Sequence, residues 1–182
     1  MTHSPAPLLL LALAGMFAAV APPASEAPDP MESVLPAGDL VALQERVARE
    51  RGVPLLINFW ATWCLPCIHE IPPLNEMRED LQPQGAHFLA VSLDPLVYRS
   101  IDEARSKVAQ VIREESFRLP MFLYDGDQEA LQQRYELPGS LPQTILLGPD
   151  GKVLDRVEGR LNPAEVERLV DRIRHTLEVP QR

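Results

Sequence analysis

Val53-Pro54-Leu55-Leu56-Ile57-Asn58-Phe59-Trp60-Ala61-Thr62-Trp63-Cys64-Leu65-Pro66-Cys67 decides the reading of this chain. Residues 53–60 form a short apolar run, rich in branched and aromatic side chains and preceded by Arg51-Gly52. Such a run reads as a buried strand. It leads directly into Cys64 and Cys67, the only two cysteines of the chain. After Cys64 the apolar spacing becomes helical, so the cysteine pair falls at a strand-to-helix junction. There the first thiol meets the free N–H groups and the dipole of a helix N-terminus, which favour its thiolate. The second thiol lies one turn on, within reach of a disulfide. This combination reads as a redox site.

The bulk properties narrow the alternatives. The chain has 182 residues, of which 46% are hydrophobic. That is enough for one domain with a real core. A formal charge of -9 argues against nucleic acid or an anionic membrane surface as the main partner, and its plain reading is solubility. Two cysteines are too few for a disulfide scaffold. A structural zinc site needs about four ligands. With no second cysteine pair, and with His69 too close in sequence to complete a site, no metal is expected.

Residues 8–20 are an uninterrupted apolar run of 13 residues, shorter than the about 20 that span a bilayer as a helix. The run fits the hydrophobic region of a signal peptide, with Ala19-Val20-Ala21 as a cleavage candidate. Against this stand the lack of Lys or Arg before Leu8 and the presence of Pro22. Cleavage near Ala24 or Ala27, or retention as a short anchor, are the alternatives. Without a nearby cysteine, a lipoprotein anchor is excluded. Residues 22–36 carry five prolines and several acidic residues and read as an extended linker. The expected organisation is a signal peptide or anchor over 1–21, the linker over 22–36, and one domain over 37–182.

Within the domain, Asp39 is positioned to cap a helix bearing Leu40, Leu43 and Val47 and ending at Gly52. After the first strand, a helix runs from Cys64 toward Leu81, with a kink expected at Pro72-Pro73. A strand over 86–93 and an amphipathic helix over 99–116 follow. Next come a short strand over 121–124 and a short helix over 127–135. Residues 143–147 and 153–157 form a hairpin around Pro149-Asp150-Gly151. Asn162, Pro163 and Glu165 open a final helix as a near capping box. Alternating strands and helices imply an α/β fold, a mainly parallel central sheet covered by helices on both faces, closed by an antiparallel hairpin.

Phe59-Trp60-Ala61-x-Trp63-Cys64-x-Pro66-Cys67 resembles the active-site motif of the thioredoxin superfamily. Ile68-His69-Glu70-Ile71-Pro72 and the N-terminal run narrow the resemblance to the TlpA/ResA type, extracytoplasmic thiol–disulfide oxidoreductases of bacteria. It covers about residues 39–177 and implies a thioredoxin-like fold. The 97–137 stretch would supply the family's extra helix and strand. It implies Cys64 as the attacking, more exposed thiol and Cys67 as the resolving one, with the Cys64–Cys67 disulfide as the redox centre and no other cofactor. It puts substrate against Trp63, Leu65, Pro66 and Leu141, with Pro142 as a cis-proline facing the cysteines. Trp60 and Trp63 would shield the dithiol.

One departure stands out. Cytoplasmic thioredoxins carry a buried Asp where this chain has Asn58, which cannot act as a base. Glu70, three residues past Cys67, is a candidate proton acceptor; the alternative is a solvated helix carboxylate. His69 is expected to be exposed. The resemblance implies reduction of protein disulfides, in cytochrome c maturation or copper-centre assembly. The implied partners are protein thiols and disulfides, with electrons from a membrane thiol relay, in the periplasm or on the outer face of a bacterial membrane. Two other readings use the same residues: a dithiol oxidase or isomerase, and a chaperone binding Cu(I) through both thiolates.

Overall fold

A computed structural model describes Met1 and residues 35–178. The proposed signal peptide or anchor, and most of the linker, lie outside the described residues. Six strands form one sheet: β1 (Ala37–Gly38), β2 (Leu55–Trp60), β3 (His87–Ser92), β4 (Met121–Tyr124), β5 (Gln143–Leu147) and β6 (Val153–Glu158). Their order across the sheet is β1-β4-β3-β2-β5-β6. The β1–β4, β4–β3 and β3–β2 pairs are parallel, while β2–β5 and β5–β6 are antiparallel. The expected parallel sheet with an antiparallel hairpin edge is thus present. The two-residue β1 was not expected. It is too short to carry an alternating pattern, and its pairing with β4 comes from tertiary contact alone.

Among the described residues, six α-helices cover the sheet: α1 (Leu40–Ala48), α2 (Leu65–Ile68), α3 (Ile71–Leu81), α4 (Ile101–Glu114), α5 (Gln128–Tyr135) and α6 (Pro163–Glu178). Strand alternation divides the core. Leu56 and Trp60 face the layer built by α3, α4 and α6, where Leu74, Val108 and Ile173 are buried. Leu55, Ile57 and Phe59 face α1 and α5 through Leu43, Leu131 and Tyr135. The buried Trp60 packs edge-on against Phe117 at 5.1 Å and donates its indole N–H to Met121 Sδ.

Local signals set most helix starts. Asp39, Ser100 and Asp127 each cap a helix by accepting a backbone N–H. At α6 the capping box is complete: Asn162 Oδ1 accepts the Glu165 N–H, and Glu165 Oε2 accepts the Asn162 N–H. Helix α1 stops at Ala48 rather than at Gly52. Gly151, at φ +81°, closes the β5–β6 hairpin by donating its N–H to Gly148 O.

The active-site helix departs from expectation in continuity. It is two helices, α2 and α3, with the break at His69-Glu70 instead of a kink at Pro72. In one continuous helix Pro72 and Pro73 would leave the carbonyls of Ile68 and His69 without donors. Restarting at Ile71 moves both prolines into a first turn, where N–H groups have no intrahelical partner anyway.

Candidate active site

The C-terminal end of β2 delivers the chain through Ala61-Thr62-Trp63 to Cys64. Cys64 is extended and caps α2, its Sγ accepting the Cys67 N–H at 3.3 Å. Cys64 and Cys67 are joined by a disulfide. Both cysteines sit low in the surface, Cys64 at 6% and Cys67 at 1% exposure, so Cys64 is the more open residue of the two. Because α2 has only four residues, it supplies little macrodipole. The donor that matters for a thiolate on Cys64 is the adjacent Cys67 N–H, and Pro66 withholds another.

Around the disulfide, Trp63 is 53% exposed, and Leu65, Pro66 and His69 are exposed as well. Trp60 is fully interior, so of the two indoles only Trp63 is open to solvent. The Leu141–Pro142 peptide bond is cis. Because Phe59 pairs with Gln143, Pro142 lies at the end of β5 beside the end of β2 from which the cysteine loop departs. Leu141 is half-buried and packs against the cluster containing both cysteines. The Pro142 carbonyl accepts the Gly159 N–H, where Gly159 has φ +81°.

Glu70 is a correction to the solvated alternative. It stands at the α2–α3 break with 0% exposure. Its Oε1 accepts Asn58 Nδ2 at 2.6 Å, and its Oε2 accepts the Leu161 N–H at 3.2 Å. Asn58 Nδ2 also donates to Thr144 Oγ1 at 3.1 Å, across the Asn58–Thr144 pair of the β2–β5 ladder. Burial pushes the Glu70 carboxyl up to about 7; the Asn58 and Leu161 hydrogen bonds and nearby Arg160 oppose this without overcoming it. An acid of that strength, one turn beyond Cys67, can exchange a proton near neutral pH.

A second buried carboxylate was missed. Asp94 follows β3 and is also at 0% exposure. It accepts the Thr62 N–H at 3.0 and 3.2 Å, Thr62 Oγ1 at 2.5 Å and Ser92 Oγ at 2.7 Å. The available signal was an Asp immediately ending a buried apolar strand and followed by Pro95. Among the described residues, no group of three or more His, Cys, Asp or Glu is arranged to hold a metal ion.

A parallel sheet with an antiparallel hairpin, carrying a Cys-x-x-Cys disulfide at the junction of a central strand and a helix, defines the class: a thioredoxin-like oxidoreductase. The chain belongs to the AhpC/TSA family, whose profile matches residues 25–156. It is 29% identical to thiol-disulfide oxidoreductase ResA of Geobacillus kaustophilus, over 75% of this chain and 72% of that protein. Among solved structures it is similar to a protein provisionally assigned as thiol:disulfide interchange protein DsbE from Chlorobium tepidum. That match has a TM-score of 0.60 and 24% identity, covering 72% of this chain and 84% of the other. It is also similar to StoA from Bacillus subtilis, with a TM-score of 0.52 and 20% identity, covering 66% and 82% respectively.

Proposed function

We propose that the protein reduces disulfides of other proteins outside the cytoplasm, cycling Cys64 and Cys67 between dithiol and disulfide. The observation that carries this reading is the disulfide formed by the chain's only cysteine pair at the junction of β2 and α2, three residues ahead of the fully buried Glu70. In the reduced form the Cys64 thiolate attacks one sulfur of a substrate disulfide. A mixed disulfide forms, and the other substrate sulfur leaves as a thiolate. Cys67 then gives up its proton and attacks Cys64 Sγ. This closes the Cys64–Cys67 disulfide and releases the second substrate thiol. Two electrons pass to the substrate, and a dithiol donor of the membrane thiol-relay type must return them.

Resolution needs a base because burial disfavours the Cys67 thiolate. Asn58 cannot ionise, so Glu70 is assigned to take that proton. Trp63, Leu65, Pro66 and Leu141 line the approach to Cys64, with Pro142 at their edge. The apolar run 8–20 supports an extracytoplasmic setting, although among the described residues no helix is long and apolar enough to cross a membrane. Within that setting, maturation of cytochrome c or assembly of a copper centre is the proposed process.

Insulin reduction with dithiothreitol as donor tests the activity, and equilibration against a glutathione series tests the direction. A potential near the thioredoxin value is expected; about 30 mV corresponds to roughly 1.4 kcal/mol for this couple. A potential near the strongly oxidising end would assign the protein as an oxidase instead. An alkaline phosphatase fusion after Pro36 is expected to be active; an inactive fusion would contradict the location.

A further inference from the structure

A cavity of about 160 Å³ lies at the far end of β2 from the disulfide, bordered by the last turn of α1, the end of α5 and the β5–β6 hairpin. The exchange mechanism does not use it. Val47, Leu55 and Leu147 give it an apolar lining, and Arg51, Arg134 and Tyr135 add to the wall. Among the described residues, neither arginine is paired with a carboxylate. Arg134 instead lies over the Tyr135 ring, 5.1 Å from its centroid, a contact that steadies a guanidinium. Arg51 sits where α1 hands over to β2. Gly52 fixes that turn by donating its N–H to Pro149 O at 3.0 Å, and a Cβ on Gly151 would stand 3.8 Å from Arg51 Nε. The Arg51 guanidinium thus lies alongside the bare hairpin turn. Tyr135 is 2% exposed, and its Oη has no hydrogen-bond partner among the described residues. Burial pushes that hydroxyl up to about 12, so it keeps its proton and remains a donor.

The carboxylate and the helix-end carbonyls at this site are already engaged. Glu50 borders the cavity, but its carboxylate is held by Arg46 and His87. The main-chain carbonyls of Val47 and Ala48 accept the N–H groups of Glu50 and Arg51, and that of Tyr135 accepts Arg156 Nη1. Positive charge therefore stands unmatched beside an apolar surface. We propose that the cavity binds a small carboxylate whose apolar body is the size of one ring. A guanidinium meets a carboxylate with two parallel N–H···O bonds. An apolar cavity of about 150 Å³ takes up benzene, which sets the size of the body. Inorganic phosphate would meet the arginines but leave the apolar lining against water. The site stands or falls independently of the direction of disulfide exchange.

Benzoate is the probe, titrated into the oxidised full chain and followed by the nitrogen resonances of the arginine Nε–H groups and of the Leu55 and Leu147 amides. Saturable shifts at Arg51 and Arg134 are expected. Benzamide, which has the shape without the charge, should bind about tenfold more weakly, and so should inorganic phosphate, which has the charge without the ring. Arg51→Gln and Arg134→Gln should each lower benzoate affinity about tenfold. Arg49 is exposed at the end of α1 and does not line the cavity. Arg49→Gln removes an equal charge and should leave the affinity within about twofold, because solvent and salt screen a charge that makes no contact. Absence of saturation, benzamide binding as tightly as benzoate, or equal losses in all three variants would overturn the proposal. Phosphate binding as tightly as benzoate would overturn it too, by reducing the site to a pair of cations. The comparison of benzoate with benzamide and phosphate uses the parent chain alone, so it stays decisive if a variant fails to fold.

Discussion

Glu70 and Asp94 are two carboxylates, both fully buried, both bordering the cysteine loop, and they are hydrogen-bonded in different ways. Asp94 is met by the Thr62 N–H and by two hydroxyls, from Thr62 and Ser92. Glu70 has one amide and one backbone N–H. Burial raises the carboxyl of each above its ordinary range, that of Glu70 to about 7. A carboxylate surrounded by short donors is a fixed acceptor that shapes the backbone. A sparsely paired one can be charged or neutral at physiological pH. Burial alone therefore does not distinguish an anchor from an acid–base group; the count and kind of donors do.

The largest expected effect is on the Glu70 side. Glu70→Gln should slow resolution of the mixed disulfide by about 10²–10⁴-fold, the usual contribution of a general base. The first attack by Cys64 should remain near the parent rate. Stopped-flow measurement across pH 6 to 9 separates the two steps, and equal resolution rates would remove Glu70 from the mechanism. Asn58→Asp in the Glu70→Gln background should recover part of the rate, since it restores a carboxylate at the neighbouring strand position.

The same contrast extends to stability. Glu70 binds its proton more tightly in the native state than in the unfolded state, where its value is near 4.5. Between those values the native state holds more protons, so stability falls as pH rises from about 4.5 through about 7. The shift corresponds to about 3 kcal/mol over that window. Denaturant unfolding of the oxidised protein at pH 5 and pH 8 should show this loss, and Glu70→Gln should remove most of it. A slope that survives Glu70→Gln would place the titrating group elsewhere.

A smaller effect, remote from both carboxylates, sets the scale for ordinary structural loss. Asn162→Ala breaks the α6 capping box and should cost about 1 kcal/mol. It should leave the pH slope of stability in place, because the Leu161 N–H that Glu70 accepts belongs to the main chain. If the slope disappeared with the cap, the loop before α6, not the charge on Glu70, would be controlling it.

Much of this organisation was legible in the chain. The 53–60 run, the period-3.6 patterns and the caps at Asp39, Asp127 and Asn162 have local causes, and they placed the helices and strands that build the sheet. Cys64 and Cys67 were legible because a lone pair at that junction has few other uses. The burial of Glu70 was not. A carboxylate at helical spacing reads as solvated, and what buries it is non-local: Asn58 on β2 and Leu161 ahead of α6. The α2–α3 break depended on where two prolines could be accommodated, and a pattern of apolar positions does not record that. Asp94 was read only as a strand end, because its partner Thr62 is 32 residues away in sequence. Strand β1 had no sequence pattern to show.

The central claim is that Cys64 attacks and Cys67 resolves, with both thiols serving one exchange cycle. The most direct measurement is mass spectrometry of adducts formed when reduced Cys67→Ser and Cys64→Ser variants are incubated with oxidised insulin. The account predicts a stable mixed disulfide on Cys64 in Cys67→Ser, and no adduct in Cys64→Ser. An adduct on Cys67 in Cys64→Ser, with none in Cys67→Ser, would reverse the roles and contradict the account.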